Sequence, residues 1–328
     1  MRFLVIRLSS FGDVILTTPV LEEIKNKYPD SEIDFVVMDS FKDAIKGNPY
    51  IDNLIIFEKN EYKGILGIYR FARKLKKKYD YIIDLHSKQR SILISILVSG
   101  NVLRYKKRSF WKTILVKMRI IKYKVDDTII KNYFGALKNI GVEYKGENLL
   151  FNFSDSDLEK MKKYENYVVF APGASKNTKK WPIAYFGMLG QMLEEENIVL
   201  IGGKNEYDEL EKIKDTVGER CKNLAGKLSL KESGALISRA KYIVTNDSGP
   251  FHIARGVNTP SFVIFGPTDY NMFKYEKKET LICANESCSP CSLHGDRECP
   301  KGHFNCMKKL TPEIVYKKIM EKLEKSNA

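Results

Sequence analysis

The sequence predicts an α/β protein with two domains, each built around a parallel β-sheet. Three observations lead to this prediction. The chain has 328 residues, roughly twice the ~150 residues of a common single domain. Short apolar runs typical of buried strands alternate with helix-length segments, which is the pattern of parallel sheets. Small or polar turns follow these runs, and ligands of open α/β sheets bind at such strand ends.

The first half of the chain contains four predicted strands, at residues 3–6, 33–37, 55–57 and 81–84. A helical pattern through Leu21, Ile24 and Tyr28 connects the first two, and a Lys-rich segment at 69–79 connects the last two. Because helix-length segments separate the strands, this half is predicted to be α/β.

The second half repeats the pattern, with predicted strands at residues 167–170, 198–201, 242–244 and 262–265. A further helix is predicted after Trp181 and Pro182. The polar stretch 154–166 lies between the two halves. We therefore expect an N-terminal domain at 1–160 and a C-terminal domain at 161–328.

Positive charge is concentrated in one region. The chain carries 55 Lys and Arg against 41 Asp and Glu, and residues 70–124 contain 17 of the basic residues but only two acids, Asp80 and Asp84. This region is predicted to contact an anionic partner such as nucleic acid, membrane headgroups or a phosphorylated substrate. Within it, segment 110–122 is predicted to be a basic amphipathic element that rests on an anionic membrane; core packing is the alternative.

The N-terminal residues lack the apolar core of a signal peptide, and no apolar stretch reaches the ~20 residues of a spanning helix. A cytoplasmic location is therefore expected. In that reducing compartment the six cysteines are expected to be thiols or metal ligands.

Phosphate binding has no standard motif here, because neither G-x-G-x-x-G nor a Walker A sequence occurs. Two turns are the candidates for phosphate binding instead. Residues 246–250, Asn-Asp-Ser-Gly-Pro, precede a predicted helix whose N-terminus favours anions. Residues 172–180 add Lys176, Lys179 and Lys180. Ordinary helix capping and a solvated basic loop are the respective alternatives.

Asp13 follows the first predicted strand in the turn Ser-Ser-Phe-Gly-Asp at 9–13. A carboxylate at the carboxyl edge of a sheet can act as a general base. Helix capping by Asp13 is the alternative.

The segment at 7–19, Arg-Leu-Ser-Ser-Phe-Gly-Asp-Val-Ile-Leu-Thr-Thr-Pro, resembles the start of family 9 glycosyltransferases, the lipopolysaccharide heptosyltransferases. Later segments resemble motifs of that family in the family's order: Asn-Leu-Ala-Gly-Lys at 223–227, Val-Thr-Asn-Asp-Ser-Gly at 244–249, Gly-Pro-Thr at 266–268 and Cys-Ser-Pro-Cys at 288–291. The resemblance covers nearly the whole chain.

The resemblance implies a GT-B architecture, in which two Rossmann-like domains with parallel sheets face a central cleft. It implies that the N-terminal domain binds the acceptor and the C-terminal domain binds the nucleotide sugar. It also assigns roles to particular residues: Asp13 as catalytic base and Lys179 as the counter-charge of the donor diphosphate; Ser175, Glu206, Asp247, Ser248, Gly249 and His252 in donor binding; Gly12, His86, Lys88 and Arg90 in acceptor binding.

The resemblance implies an inverting transferase that moves heptose from ADP-L-glycero-D-manno-heptose to a lipopolysaccharide-core acceptor, either lipid A–Kdo or heptose, at the inner face of the cytoplasmic membrane. Two alternatives stay open: a family 9 enzyme with another nucleotide sugar, and a basic nucleic-acid-binding protein. The second leaves the turn motifs unexplained, and no nucleic acid is expected as a partner.

No metal is expected to be needed for catalysis, since helix N-termini and a lysine can stabilise the leaving diphosphate. Asp155 and Asp157 have D-x-D spacing but are predicted to form a polar turn in the linker. Near the C-terminus a structural zinc site at Cys288, Cys291, Cys299 and Cys306 is an open alternative, with Cys283, His294 and His303 nearby. Because a second C-x-x-C is absent, free thiols are favoured.

Overall fold

The structure is a computed structural model that describes residues 1–75, 78–106, 127–146, 148–273 and 279–327. Contacts divide these residues into two compact units. The N-terminal unit holds the described residues through 106 and those of 127–152, and the C-terminal unit holds those from Phe153 onward.

The N-terminal unit contains one five-stranded parallel sheet in the order β3-β2-β1-β4-β5. Its strands are β1 (Arg2–Ile6), β2 (Glu32–Met38), β3 (Asn53–Phe57), β4 (Tyr81–Asp84) and β5 (Asn101–Arg104). Its α-helices are α1 (Phe11–Ile15), α2 (Thr18–Lys27), α3 (Gly64–Lys74), α4 (Gln89–Leu97) and α5 (Ile129–Phe134). Strands β1 and β2 are almost wholly buried, because helices cover parallel sheets on both faces.

The C-terminal unit contains a six-stranded parallel sheet in the order β11-β10-β9-β6-β7-β8. Its strands are β6 (Tyr167–Ala171), β7 (Asn197–Leu200), β8 (Cys221–Asn223), β9 (Ile243–Asn246), β10 (Ser261–Phe265) and β11 (Glu279–Cys283). Its α-helices are α6 (Asp155–Met161), α7 (Ile183–Met192), α8 (Tyr207–Val217), α9 (Leu230–Arg239), α10 (Gly249–Gly256), α11 (Asn305–Lys308) and α12 (Pro312–Asn327).

Both sheets have the strand order of a Rossmann fold when each unit is counted from its own first strand. The order reverses between β1 and β4 in the N-terminal unit and between β6 and β9 in the C-terminal unit. Ligands of such sheets bind outside the carboxyl ends of the strands at this reversal, the switch point. The turns after these four strands are therefore the places to seek a site.

All eight predicted strands are present, to within two residues at each end. One prediction from the sequence was wrong. Asp155 and Asp157 do not form a polar turn but lie in the first turn of α6, where Ser154 is the N-cap and donates to the Asp157 carboxylate. Helix α3, which buries Ile68 and Phe71, contains the first part of the Lys-rich segment 69–79 that precedes β4.

Two further expectations concern membranes. The predicted amphipathic segment at 110–122 lies outside the described residues. Among the helices that the structure describes, none combines the length and apolar character needed to span a membrane.

Candidate functional site

At the N-terminal switch point, Asp13 lies at the third position of α1 and Ser10 is the N-cap. Helix capping, the alternative for Asp13, is present as a capping box in which the Asp13 carboxylate bonds back to Ser10. Asp13 Oδ2 accepts from the Ser10 backbone N–H at 3.2 Å and from its hydroxyl at 2.7 Å. The same oxygen lies 2.7 Å from Arg7 Nη2.

Arg7 connects the turn after β1 with the turn after β4. Its Nη1 donates to the Leu85 carbonyl at 2.5 Å, and its guanidinium lies over the Tyr133 ring of α5. Burial alone would lower the pKa of Arg7, but Tyr133 and the Asp13 carboxylate more than offset this and raise it above its usual value. Arg7 is therefore a permanent cation beside the Asp13 carboxylate.

After β4, the buried Asp84 organises the turn that contains His86. Asp84 Oδ1 accepts from the backbone N–H groups of His86 and Ser87, and Asp84 Oδ2 lies 2.9 Å from Arg104 Nε. Ser87 has a left-handed backbone with φ of 51°, and these hydrogen bonds stabilise that conformation. His86 is buried beside them.

The other predicted acceptor residues border this turn. Lys88 is the exposed N-cap residue of α4, Arg90 lies over the Phe57 ring at 5.5 Å, and Gly12 is half-buried in α1. Because Arg7 bonds to Leu85, the structure brings the turns of Asp13 and His86 to one sheet edge.

At the C-terminal switch point, Lys179 and Asp247 form a buried ion pair. Lys179 Nζ lies 2.6 Å from Asp247 Oδ2, and their side chains are 13% and 5% exposed. The Thr268 hydroxyl, which follows β10, donates to the same carboxylate oxygen at 2.8 Å. Three predicted strand ends therefore converge on one carboxylate.

Asn246 joins the turns after β6 and β9. Its amide nitrogen donates to the Pro172 carbonyl at 2.5 Å, and its side-chain oxygen accepts from the Trp181 backbone N–H at 3.1 Å. These two bonds fix both ends of the loop that carries Lys179. Trp181 itself is fully buried in the core of the C-terminal unit.

Ser248 and Gly249 form the start of α10, directly after Asp247. Ser248 is the N-cap, Gly249 begins the helix and Pro250 lies in its first turn, where a missing N–H breaks no helical hydrogen bond. His252 follows one turn later, largely buried against the rings of Phe251 and Phe273.

Ser175 and Glu206 follow β6 and β7. Ser175 is exposed. Glu206 Oε2 accepts from the Gly203 backbone N–H at 2.8 Å, and its Oε1 lies 4.0 Å from Lys180 Nζ. A Cβ at position 173 would overlap the Glu206 carboxylate, so Gly173 provides the space that Glu206 occupies.

A segment distant in sequence holds the lysine loop in place. The Asp296 carbonyl accepts from the backbone N–H and the hydroxyl of Thr178, and the Asp296 N–H donates back to that hydroxyl at 2.7 Å. Gly295 packs so closely on Lys179 that an added Cβ would lie 2.7 Å from the Lys179 Cγ. The position of Lys179 therefore depends on residues 295 and 296.

The C-terminal cysteines Cys288, Cys291, Cys299 and Cys306 are free thiols in this structure. Among the residues described, no three His, Cys, Asp or Glu side chains are grouped to hold a metal ion. Cys288 Sγ lies 3.8 Å from His303 Nε2. Burial, followed by the neighbouring Cys291 and Cys288, raises the pKa of Cys306 to about 12.

Arg7 and Thr268 are two of the cluster residues that the sequence did not indicate as site residues. Arg7 is a charged residue directly after a buried strand, and this position could have identified it as a site residue. Thr268 lies in the Gly-Pro-Thr turn after β10, but nothing in the local sequence indicates that its hydroxyl contacts Asp247.

The two clusters offer different chemistry. The Asp13 side chain is 29% exposed, so its carboxylate can reach water or a substrate hydroxyl. Lys179 has three N–H donors, and the bond to Asp247 does not exhaust them. An ammonium beside a helix N-terminus is suited to a phosphate group.

Comparison with known proteins gives a consistent result. The sequence profile described as Glycosyltransferase family 9 (heptosyltransferase) matches residues 68–301. The lipooligosaccharide heptosyltransferase 2 of Campylobacter jejuni is 26% identical over 326 residues, which cover 96% of this chain and 96% of that protein.

Solved structures share the fold. A family 9 glycosyl transferase from Veillonella parvula has a TM-score of 0.83 and 21% identity, with 99% of this chain and 97% of that chain covered. The E. coli heptosyltransferase WaaC with ADP-2-deoxy-2-fluoro heptose has a TM-score of 0.72 and 19% identity, with 98% and 100% covered. The fold is GT-B, with two Rossmann-like domains that each contain a parallel sheet.

Proposed function

The chain belongs to glycosyltransferase family 9, and we propose that it transfers heptose from ADP-L-glycero-D-manno-heptose to a lipopolysaccharide-core acceptor. Family membership makes the protein a glycosyltransferase. ADP-heptose as donor is supported by the shared fold of the E. coli enzyme solved with ADP-2-deoxy-2-fluoro heptose. A lipid A–Kdo or heptose acceptor is supported by relatives named as lipooligosaccharide and lipopolysaccharide heptosyltransferases.

One observation carries the proposal for the site. Both Rossmann-like units hold their charged clusters at the switch point, where ligands of this fold bind. We assign acceptor binding to the N-terminal domain, residues 1–160, with Gly12, His86, Lys88 and Arg90. Donor binding is assigned to the C-terminal domain, residues 161–328.

Asp13 is proposed to take the proton of the attacking acceptor hydroxyl. The hydroxyl proton becomes far more acidic as the new C–O bond forms, so a carboxylate can take it at that stage. Direct displacement by that oxygen inverts the anomeric centre. The Asp13 side chain is 29% exposed, which supports its access to a substrate hydroxyl.

Lys179 is proposed to stabilise the departing diphosphate. Its charge, together with the N-terminus of α10 at Ser248 and Gly249, opposes the negative charge that grows in the transition state. Asp247 positions the ammonium and prevents it from turning away. Ser175 and His252 are assigned to the phosphate region, and Glu206 to the donor ribose.

No metal is assigned a role in this reaction. The proposed location is the inner face of the cytoplasmic membrane, because the acceptor is a lipid and residues 70–124 are strongly basic.

Mass spectrometry of the products tests the proposal. The enzyme would be offered ADP-heptose, UDP-glucose and GDP-mannose, each with lipid A–Kdo or with its heptosylated form. Heptose addition to one acceptor is the expected result. A hexose product without any heptose product would identify the enzyme as a family 9 transferase for another sugar.

A further inference from the structure

Helix α3 of the N-terminal unit presents an apolar outer face. Ile65 and Leu66 are each 74% exposed, and Tyr69 is 44% exposed. The opposite face of the helix buries Ile68 and Phe71 in the core. Side chains of this size seldom remain exposed together on one helix unless the surface has a partner.

Helix α4 packs against α3 and extends this surface. Its residues Ile96 and Leu97 are 67% and 43% exposed. The sequence from Ser91 to Leu103 contains no charged residue. Solvent-facing helices normally carry charges on their outer faces. The outer face of α4 is therefore better suited to an apolar environment than to water.

Basic residues follow the apolar ones along α3. Arg70, Arg73 and Lys74 are exposed, and the Arg73 guanidinium lies 6.0 Å from the centre of the Tyr69 ring. In the sequence, three further lysines follow at 76–78. Apolar side chains flanked by Lys and Arg are the combination that inserts shallowly into a bilayer while binding anionic headgroups.

We propose that the α3–α4 face, defined by Ile65, Leu66, Tyr69, Ile96 and Leu97, docks on an anionic lipid bilayer. This inference rests on the proposed function, since a lipid-linked acceptor would require the enzyme to work at a membrane. Charge complementarity selects this partner: a second copy of the chain would bring the same basic residues together, whereas anionic headgroups neutralise them.

Vesicle flotation tests the proposal on the full-length protein. Wild-type protein is expected to bind vesicles of phosphatidylethanolamine and phosphatidylglycerol, and to bind neutral phosphatidylcholine vesicles at least tenfold more weakly. The Leu66→Gln/Ile96→Gln variant should lose at least tenfold in binding to the anionic vesicles, because it removes apolar groups that enter the bilayer.

Ile314→Gln is the matched control. Ile314 is an exposed apolar residue at 43% on α12 of the C-terminal unit, so its substitution makes the same Ile→Gln change as Ile96→Gln but outside the proposed face. It should bind anionic vesicles as wild type does. Circular dichroism and turnover with a delipidated, soluble acceptor should be unchanged in both variants.

Three outcomes would overturn the docking proposal: wild-type protein that does not bind vesicles, a double variant that binds as well as wild type, or an Ile314→Gln protein with the same loss. A wild-type dimer in sedimentation that becomes monomeric in the double variant, without vesicle binding, would assign the face to self-association. Turnover on the soluble acceptor tests the proposed reaction without a membrane. Failure of the docking proposal can therefore be distinguished from failure of the proposed reaction.

Discussion

The two switch points each hold one ion pair, but the pairs are built differently. In the N-terminal unit, Arg7 and Asp13 come from the same strand–turn–helix segment, and the carboxylate is 29% exposed. In the C-terminal unit, Lys179 and Asp247 come from turns after different strands, and the carboxylate is 5% exposed. One carboxylate faces water and the other is enclosed.

This difference in exposure indicates which of the two carboxylates can exchange a proton with a substrate. A carboxylate that is 29% exposed can reach a substrate proton, whereas the buried Asp247 is held by Lys179 and Thr268. The less buried member of the C-terminal pair, at 13% exposed, is instead the lysine, a group suited to binding an anion. The four predictions below test this division of roles.

Asp13→Asn should have the largest effect. The amide cannot accept the hydroxyl proton, so kcat should fall by about 10²- to 10⁴-fold while donor affinity stays near wild type. The loss of the Arg7 contact should also lower the free energy of unfolding by about 1–3 kcal/mol. Steady-state kinetics, calorimetric titration with ADP and urea denaturation measure the three quantities.

Asp157→Asn provides the control, because Asp157 occupies the same capping position in α6 and bonds to Ser154 as Asp13 bonds to Ser10. It should cost about 0.5–1 kcal/mol of stability and leave turnover unchanged. Near-normal turnover in a folded Asp13→Asn protein would reduce Asp13 to a capping residue.

Lys179→Ala should disturb both binding and folding. Without the ammonium, kcat/KM should fall about 10- to 100-fold, with KM for the donor raised and kcat lowered. Asp247 would remain as an unpaired buried charge, which costs about 3–5 kcal/mol of stability. Lys180→Ala in the same loop should cost less than about 1 kcal/mol, since Lys180 pairs with the exposed Glu209.

A double variant separates the two roles of Lys179. Lys179→Met/Asp247→Asn removes the unpaired charge, so stability should largely recover while kcat remains low. Recovery of kcat together with stability would mean that Lys179 acts only as a structural partner of Asp247.

Gly295→Ala should affect the C-terminal switch point alone. Gly295 has φ of +79°, and an added Cβ would lie 2.7 and 2.9 Å from the Lys179 stem. Displacement of Lys179 should raise the donor KM, by up to about 10²-fold if the ammonium shifts by 1 Å. Gly302→Ala shares the positive φ of +75° but has no heavy atom within 4 Å of its Cβ.

The two alanine variants should therefore lose similar stability, about 1–2 kcal/mol, through backbone strain. Only Gly295→Ala should change donor kinetics. Equal kinetics in both variants would show that the contact between Gly295 and Lys179 does not position the ammonium.

Removal of metal ions should have the smallest effect. Lys179 and the α10 N-terminus are proposed to supply the positive charge, so EDTA should leave kcat unchanged. Elemental analysis of untagged protein should give substoichiometric zinc and iron. One metal per chain would reassign the four C-terminal cysteines as ligands, and a loss of activity in EDTA would contradict the proposed role of Lys179.

Much of the fold could be predicted from the sequence because buried parallel strands are continuous apolar runs. Residues 167–170 and 262–265 illustrate this, since both are wholly buried strands. The edge strands β5, β8 and β11 were missed. Strands β5 and β8 contain Asn101 and Lys222, and at a sheet edge such polar residues still reach solvent. The turns after strands could also be located from the sequence, so Asp13 and Lys179 were placed at strand ends, and the structure has them there.

The sequence by itself determined the α/β class, the positions of the inner strands and the turns at which charged residues gather. Those features depend on hydrophobic periodicity and on residues close together in the chain. Only the tertiary structure decided which turns meet. Strand order places β9 beside β6, which joins Asp247 to Lys179, and Arg7 joins Asp13 to the turn after β4. Such pairings arise from packing between segments that are distant in the chain, so no local sequence pattern predicts them.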